Sequence, residues 1–187
     1  TGPLARMRSP RPVNVIVSRP AGITMPTRRR NVKRSVRAYD LKVTLQRVRP
    51  PVWRRIKVRS DITLEGLHRV LQVVMGWSDS HMHAFRPTSG QRRARPGGPP
   101  VERSEEPKTR LDDLLRKPRD RMVYEYDFGD RWEHEVLLEK VVDHPPGARY
   151  PWVLRGARAC PPDDVGGVSG YAHFLQAMRQ PQHLEHK

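Results

Sequence analysis

Four side chains in this sequence are of types that hold transition metals: His81, His83, His134 and Cys160. In "HMHAF" (residues 81–85) two imidazoles stand at i and i+2. On an extended strand that spacing puts both on one face, about 6.5–7 Å apart along the chain. Such a pair can serve one cation, and a further imidazole and a thiolate would complete a four-ligand set. Each of these residues also has an ordinary role open to it. Phe85 shares the side of His81 and His83, and His134 lies two residues from Trp132 on the apolar side of its segment. His68 lies among Leu64, Leu71 and Met75 at helical spacing, where a packed, hydrogen-bonded imidazole is expected.

The stretch "YEYDFGDRWEHEV" (residues 124–136) offers the second kind of chemistry, a row of carboxylates. Asp127-Phe128-Gly129 matches the magnesium-binding triplet of protein kinases, but the Gly-rich phosphate loop and the His-Arg-Asp catalytic loop are missing from the sequence. The glycine then simply turns a hairpin. A three-residue connection, residues 129–131, pairs Phe128 with Trp132, Tyr126 with His134 and Tyr124 with Val136. That register makes one face apolar, and burial selects it because a one-residue slip would invert both faces. The opposite face then carries Glu125, Asp127, Glu133 and Glu135 close together. Opposed like charges need something positive nearby. Arg55, Lys57 and Arg59 are the expected source, with a divalent metal or a cationic partner as the alternative.

Nucleophilic chemistry finds less support. Cys160 opens "CPPDDVGG", and although Arg155 and Arg158 precede it, Asp163 and Asp164 disfavour a thiolate. A serine recombinase would surround its serine with arginines, which Ser60, Ser78 and Ser80 lack. No G-x-x-x-x-G-K-[ST] phosphate loop is present.

The elements that must position these residues can be read from periodicity. In "YDLKVTLQRV" Tyr39, Leu41, Val43 and Leu45 alternate, and in "VWRRIKV" Val52, Ile56 and Val58 face one way while Trp53, Arg55, Lys57 and Arg59 face the other. This predicts a hairpin with one apolar and one basic face. Leu64, Leu67, Leu71, Val74 and Met75 follow helical spacing, with Asp61 or Thr63 to cap the start and Gly76 to close the end. A strand at residues 81–85 follows, then a mobile Arg/Pro/Gly-rich insert (86–110), a short helix at 111–115, the second hairpin, and a turn-dominated stretch (144–167). A last helix at 169–178 has Ser169 as cap and Tyr171, Phe174, Leu175 and Met178 on one face. The expected fold is α+β: one domain (39–187) with two β-hairpins and a mixed sheet packed on two or three helices, its first half β-grasp-like.

Residues 1–38 contain ten Arg/Lys and no acid, whereas the other 149 residues contain 26 against 20. Most of the net charge of +16 therefore belongs to this Pro-containing arm, which is expected to be disordered. Arg28, Arg29, Arg30, Lys33, Arg34 and Arg37 are its candidates for contact with nucleic-acid backbone, since clustered cations bind polyanions through counterion release. Unpartnered, solvated charge is the simpler alternative. No apolar run approaches the ~20 residues of a membrane helix. One cysteine, Cys160, fits a reducing compartment, so a cytoplasmic, non-membrane protein is expected.

Four blocks in order, "YDLKVTLQRVRPPVWRRIKV", "TLEGLHRVLQVVMGWSDSHMHAF", "YEYDFGDRWEHEVLLEK" and "ACPPDDVGGVSGYAHFLQAM", resemble the Ri-plasmid ORF-three-like domain family, over residues 39–186. Some of its members are labelled insertion-element passenger TnpR proteins. The resemblance implies an intracellular α+β domain often found near mobile elements, and it brings no established activity. Members of that family continue past the "HLEHK" segment into a further helix and an acidic tail, so a C-terminally shortened chain is expected. The basic arm lies outside the shared blocks. These readings make a non-enzymatic accessory or adaptor protein without a cofactor the first expectation, with the arm on nucleic acid. A metal-dependent hydrolase or nuclease, using the His/Cys set or the carboxylates with a divalent metal, is the alternative. A protein-interaction module built on the aromatic hairpin is the third reading, and oligomeric state is left open.

Overall fold

The computed structural model describes residues 35–88, 99–180 and 182. Arg28, Arg29, Arg30, Lys33 and Arg34 of the expected arm, and residues 89–98 of the expected insert, lie outside the described residues. The chain divides into two units between Arg34 and Ser35, and the fold belongs to the second.

The alternating segments form β1 (Arg37–Leu45) and β2 (Trp53–Arg59), antiparallel, with Leu41 opposite Ile56 and Tyr39 opposite Val58. Helix α1 (Leu64–Met75) follows. Thr63 Oγ1 accepts the Gly66 N–H at 3.1 Å, and Gly76, at φ 84°, donates its N–H to the Gln72 carbonyl and stops the helix. A left-handed residue at that position is where glycine is cheapest. Next come β3 (His83–Pro87), α2 (Leu111–Leu114), β4 (Arg121–Tyr126), β5 (Trp132–Asp143), β6 (Trp152–Ala157) and α3 (Gly167–Arg179). A 3-10 turn at Arg103–Glu105 lies within the expected insert.

The six strands form one sheet in the order β3-β4-β5-β1-β2-β6. The α+β class and the two hairpins agree with the sequence reading, and three details do not. Every pairing is antiparallel, where a mixed sheet was expected. The hairpin, helix and strand of the first half follow in the expected order, but that strand does not join its own hairpin: the second neighbour of β1 is β5, and β3 lies at the far edge beside β4. The β4–β5 hairpin carries Tyr124, Tyr126 and Trp132, the largest fully buried side chains with Phe85. Placing that hairpin between β1 and β3 buries its aromatic face and pairs both of its edges. Finally, β6 falls in the stretch read as turns. It is an edge strand whose Trp152, Val153 and Leu154 are all exposed, so it lacks the alternation that marks a half-buried strand.

All three helices contribute to the core on one face of the sheet. Leu64, Leu67, Leu71 and Met75 of α1 are buried, as are Leu111 and Leu115. The Tyr39 hydroxyl donates to the Leu115 carbonyl at 2.9 Å, and Tyr171 of α3 meets Trp132 edge-on. Met178, expected on the buried face of α3, is exposed, and Ala177 is buried in its place. The start of α3 is capped by Gly166 in the left-handed region, while Ser169 sits inside the first turn.

In the second hairpin Tyr126 pairs with Trp132 and Tyr124 with His134, so residues 127–131 form the connection, two longer than expected. A shift of two preserves which face each strand residue occupies, and the apolar and acidic faces are as expected. Phe128 leaves the core and is 44% exposed. Glu125 faces Glu133 and is neutralised by Arg86 at 3.1 Å and Arg131 at 3.8 Å. Glu133 is met by Arg47 at 3.6 Å, and Glu135 by Arg121 at 3.6 Å. The first hairpin's own cations serve other acids: Arg55 binds Glu139 through two hydrogen bonds, Lys57 pairs with Asp40, and Arg59 with Asp61.

Two substitutions separate cap from core. Thr63→Ala is expected to cost about 1 kcal/mol. Leu67→Ala, which empties a fully buried site, is expected to cost about 2–5 kcal/mol. Urea unfolding of both variants checks the order.

Candidate functional site

The four sequence-predicted ligands do not come together. His81 lies in the loop before β3, His83 on β3, His134 on β5, and Cys160 between β6 and α3. His134 is fully buried, its Nδ1 donates to the Tyr124 carbonyl at 3.3 Å, and its ring meets Trp77 edge-on. Cys160 Sγ accepts a hydrogen bond from Arg54 at 3.3 Å and lies 3.2 Å from Met75 Sδ. Burial raises the thiol's pKa despite the nearby guanidinium, which disfavours the thiolate a nucleophile or ligand needs. The reason for the scatter is topological. An i, i+2 pair shares a face only inside a strand, and His81 precedes the strand.

His83 belongs to a buried relay. Its ring stacks on His68 with centroids 3.5 Å apart and planes 9° apart. Arg103 Nη1 donates to His83 Nδ1 at 2.9 Å, so the proton sits on Nε2 and is donated to Glu106 at 2.9 Å. His68 Nε2 contacts the Asp79 carboxylate at 2.7 Å, which leaves Nδ1 to accept from the Tyr124 hydroxyl at 2.9 Å. That hydroxyl in turn accepts from Gln72 Nε2, and Gln72 Oε1 accepts the Asp79 N–H, both at 2.9 Å. Every imidazole nitrogen of the stacked pair is therefore satisfied by protein. His68, Asp79 and His83 have metal-ligating atoms close together, but the relay uses them to join α1, β3, β4 and the Arg103 turn.

His81 is different. Its Nε2 is buried and makes no hydrogen bond, yet it lies 3.8 Å from Asp127 Oδ2 and 3.3 Å from Asp164 Oδ1. Ligating atoms of these three residues all lie within 4.8 Å of one another. Each residue is held by its own segment. Asp127, at φ 57°, donates its N–H to the Met82 carbonyl, and its Oδ1 accepts the N–H groups of Gly129 and Asp130. That leaves Oδ2 turned to His81. The His81 ring rests edge-on against Tyr126. The loop carrying Asp164 is tied down by Trp77 Nε1 to the Pro161 carbonyl, by Ser78 to Asp163, and by the Gly166 N–H to Asp130. Gly167, at φ 67°, passes so close to the Asp130 carbonyl that a Cβ would sit 2.8 Å from it. Asp164 itself is 78% exposed at the side chain, so one side of the cluster faces solvent.

Sequence reasoning named His81 but missed Asp127 and Asp164 as its companions. The available signal was that they lie in three different blocks carrying the family resemblance. Arg37, assigned to the arm, is the first residue of β1, and its side chain reaches Asp143 at 3.1 Å and the Val142 carbonyl.

A family model described as plasmid pRiA4b ORF-3-like protein matches residues 37–187. The uncharacterized protein y4hQ of Sinorhizobium fredii (strain NBRC 101917 / NGR234) is 40% identical over 151 residues, which is 78% of this chain and 75% of the relative. The crystal structure of a protein of unknown function, MM3350 from Methanosarcina mazei Go1, is similar with a TM-score of 0.67 and 34% identity, over 81% of this chain and 86% of that one.

The buried histidines make folding pH-dependent. Burial depresses the pKa of His68, assisted by the neighbouring His83. Burial, then Arg103, lowers His83 from 6.5 to about 4, and burial lowers His134 to about 4. Between these values the unfolded chain binds protons that the folded chain refuses. Their stabilisation is complete above 6.5 and is lost as pH falls toward 4. Glu106, whose pKa burial raises, works in the opposite sense and offsets part of this. The urea midpoint is expected to drop between about pH 7 and about pH 5. His83→Asn is expected to flatten the slope by up to about 1.4 kcal/mol per pH unit.

Proposed function

The chain belongs to the plasmid pRiA4b ORF-3-like family, and from the place where three of its segments meet we propose that it is a divalent-cation-binding domain with His81, Asp127 and Asp164 as ligands. One observation carries this reading: the buried His81 Nε2, without a hydrogen bond, faces two carboxylate oxygens. A neutral imidazole supplies a lone pair, the carboxylates supply charge, and a cation satisfies all three. One nitrogen and two oxygens suit zinc, manganese or iron better than copper(I). Three protein ligands leave coordination positions on the open Asp164 side for water. A cation-bound water is the nucleophile of metal-assisted hydrolysis, so the finer reading is a metal-dependent hydrolase or nuclease.

The arm supports a second reading, a cytoplasmic accessory protein of mobile elements that engages nucleic-acid backbone or a partner protein. Its basis is the ten Arg/Lys and no acid in residues 1–38. Binding of duplex DNA through Arg28, Arg29, Arg30, Lys33 and Arg34 would be independent of sequence and weaken steeply with salt.

Calorimetric titration of chelator-treated protein with Mn2+ and Zn2+ tests the first reading. One ion per chain is expected. Asp127→Asn keeps the acceptor for Gly129 and Asp130 but removes the charge, and it and His81→Ala are each expected to weaken binding at least about tenfold, a loss of about 1.4 kcal/mol. An unliganded parent, or variants that bind as the parent does, would leave an ion triad of purely structural use. Cation-dependent cleavage of a simple phosphodiester, lost in Asp127→Asn, separates a hydrolase from a cation-binding domain without catalysis.

A further inference from the structure

The sheet face turned away from the helices is unevenly charged. Paired residues project to the same side, and the register sets Trp152 beside Lys57, Arg155 beside Arg55, and Arg55 beside Lys42. Trp53 lies on the same face, with Lys42 Nζ 5.3 Å and Arg55 Cζ 5.5 Å from its ring centre. Trp152 is 51% exposed and is held edge-on by Tyr150 at 4.9 Å. Asp40 and Glu139 engage Lys57 and Arg55. Lys42, Arg119, Lys140 and Arg155 form no ion pair among the described residues. A hollow of about 580 Å3, lined in part by Arg55, Arg119, Arg121 and Lys140, opens on this side.

We propose that this face binds single-stranded nucleic acid, with a base stacked on Trp152 and phosphates held by Lys42, Arg119, Lys140 and Arg155. The surface combines the two parts such binding needs, cations for the backbone and an exposed aromatic ring for unpaired bases. Charge selects this occupant over the alternatives. A polyanion is the complement of this excess of cations, whereas a second copy would set like charge against like. Duplex DNA hides its base faces from Trp152. The assignment is independent of the cation cluster and concerns the folded domain, not the arm.

The test uses the full chain and fluorescence anisotropy with labelled oligo(dT) and oligo(U) of about 15 nucleotides, beside a duplex of the same length. Trp152→Ala is expected to weaken the single strands about tenfold, with Trp152→Phe recovering most of the loss. The double variant Lys42→Glu/Arg155→Glu is expected to weaken them and to flatten the log–log salt slope by about 0.7 for each cation removed. Duplex affinity, which on the second reading above would rest on the arm, should stay within about twofold. All positions are on the surface, and unchanged circular dichroism and melting temperature would confirm intact folding. Single-strand binding that survives these variants, falls in parallel with duplex binding, or changes only because Trp152→Ala dissociates a dimer overturns the proposal.

Discussion

A sheet that buries one face under helices must pair most of the polar atoms on that face, because an unmet donor or acceptor there costs more than a met one contributes. The inner face between α1 and β4 carries a phenol, two imidazoles, an amide and carboxylates, so this constraint governs how those elements seat. Tyr124 is the hub: its hydroxyl serves both Gln72 and His68, and its carbonyl serves His134. Stacking His83 on His68 then carries the network out to Glu106 and Arg103. A chain of bonds with only one self-consistent proton arrangement specifies one seating of the helix where apolar packing alone would tolerate several.

His81 is left outside this network, and its Nε2 is one of several buried side-chain atoms without a hydrogen bond among the described residues, with Trp132 Nε1 and His134 Nε2. It stands just beyond the strand, past the reach of the relay, and it meets carboxylates from two loops instead of a hydroxyl or an amide. The outer face follows a looser rule. Its ion pairs are partly solvated, and exposed pairs contribute little to stability. Arginines from β3, β4 and the loops can therefore be matched to acids by proximity alone, leaving an excess of positive charge on the β6–β2–β1 side.

Much of the scaffold was legible because burial repeats with a period. The alternation of Tyr39, Leu41, Val43 and Leu45, and the helical spacing from Leu64 to Met75 with Thr63 and Gly76 at its ends, each named an element correctly. What failed lacked a period or depended on distant chain. β6 shows no alternation because both its faces are exposed. The second hairpin's faces were right and its loop length wrong, since a two-residue shift leaves parity intact. The companions of His81 could not be found by spacing, because Asp127 and Asp164 reach it through loop geometry. The expected pairing of His81 with His83 rested on strand spacing, which fails because His81 precedes β3, and the addition of His134 and Cys160 rested on residue type alone.

The strand order also bears on how the molecule is made. β1 occupies the middle of the sheet, and one neighbour, β2, follows it closely, but the other pairs Arg37 with Asp143. On a ribosome, the N-terminal half therefore waits for roughly a hundred further residues with an open, hydrogen-bonding edge. Non-local pairing of this kind slows folding and leaves strand edges open to wrong partners. The early-emerging Arg and Lys residues give the nascent chain a strong positive charge during that interval, a built-in repulsion between neighbouring chains on the same message.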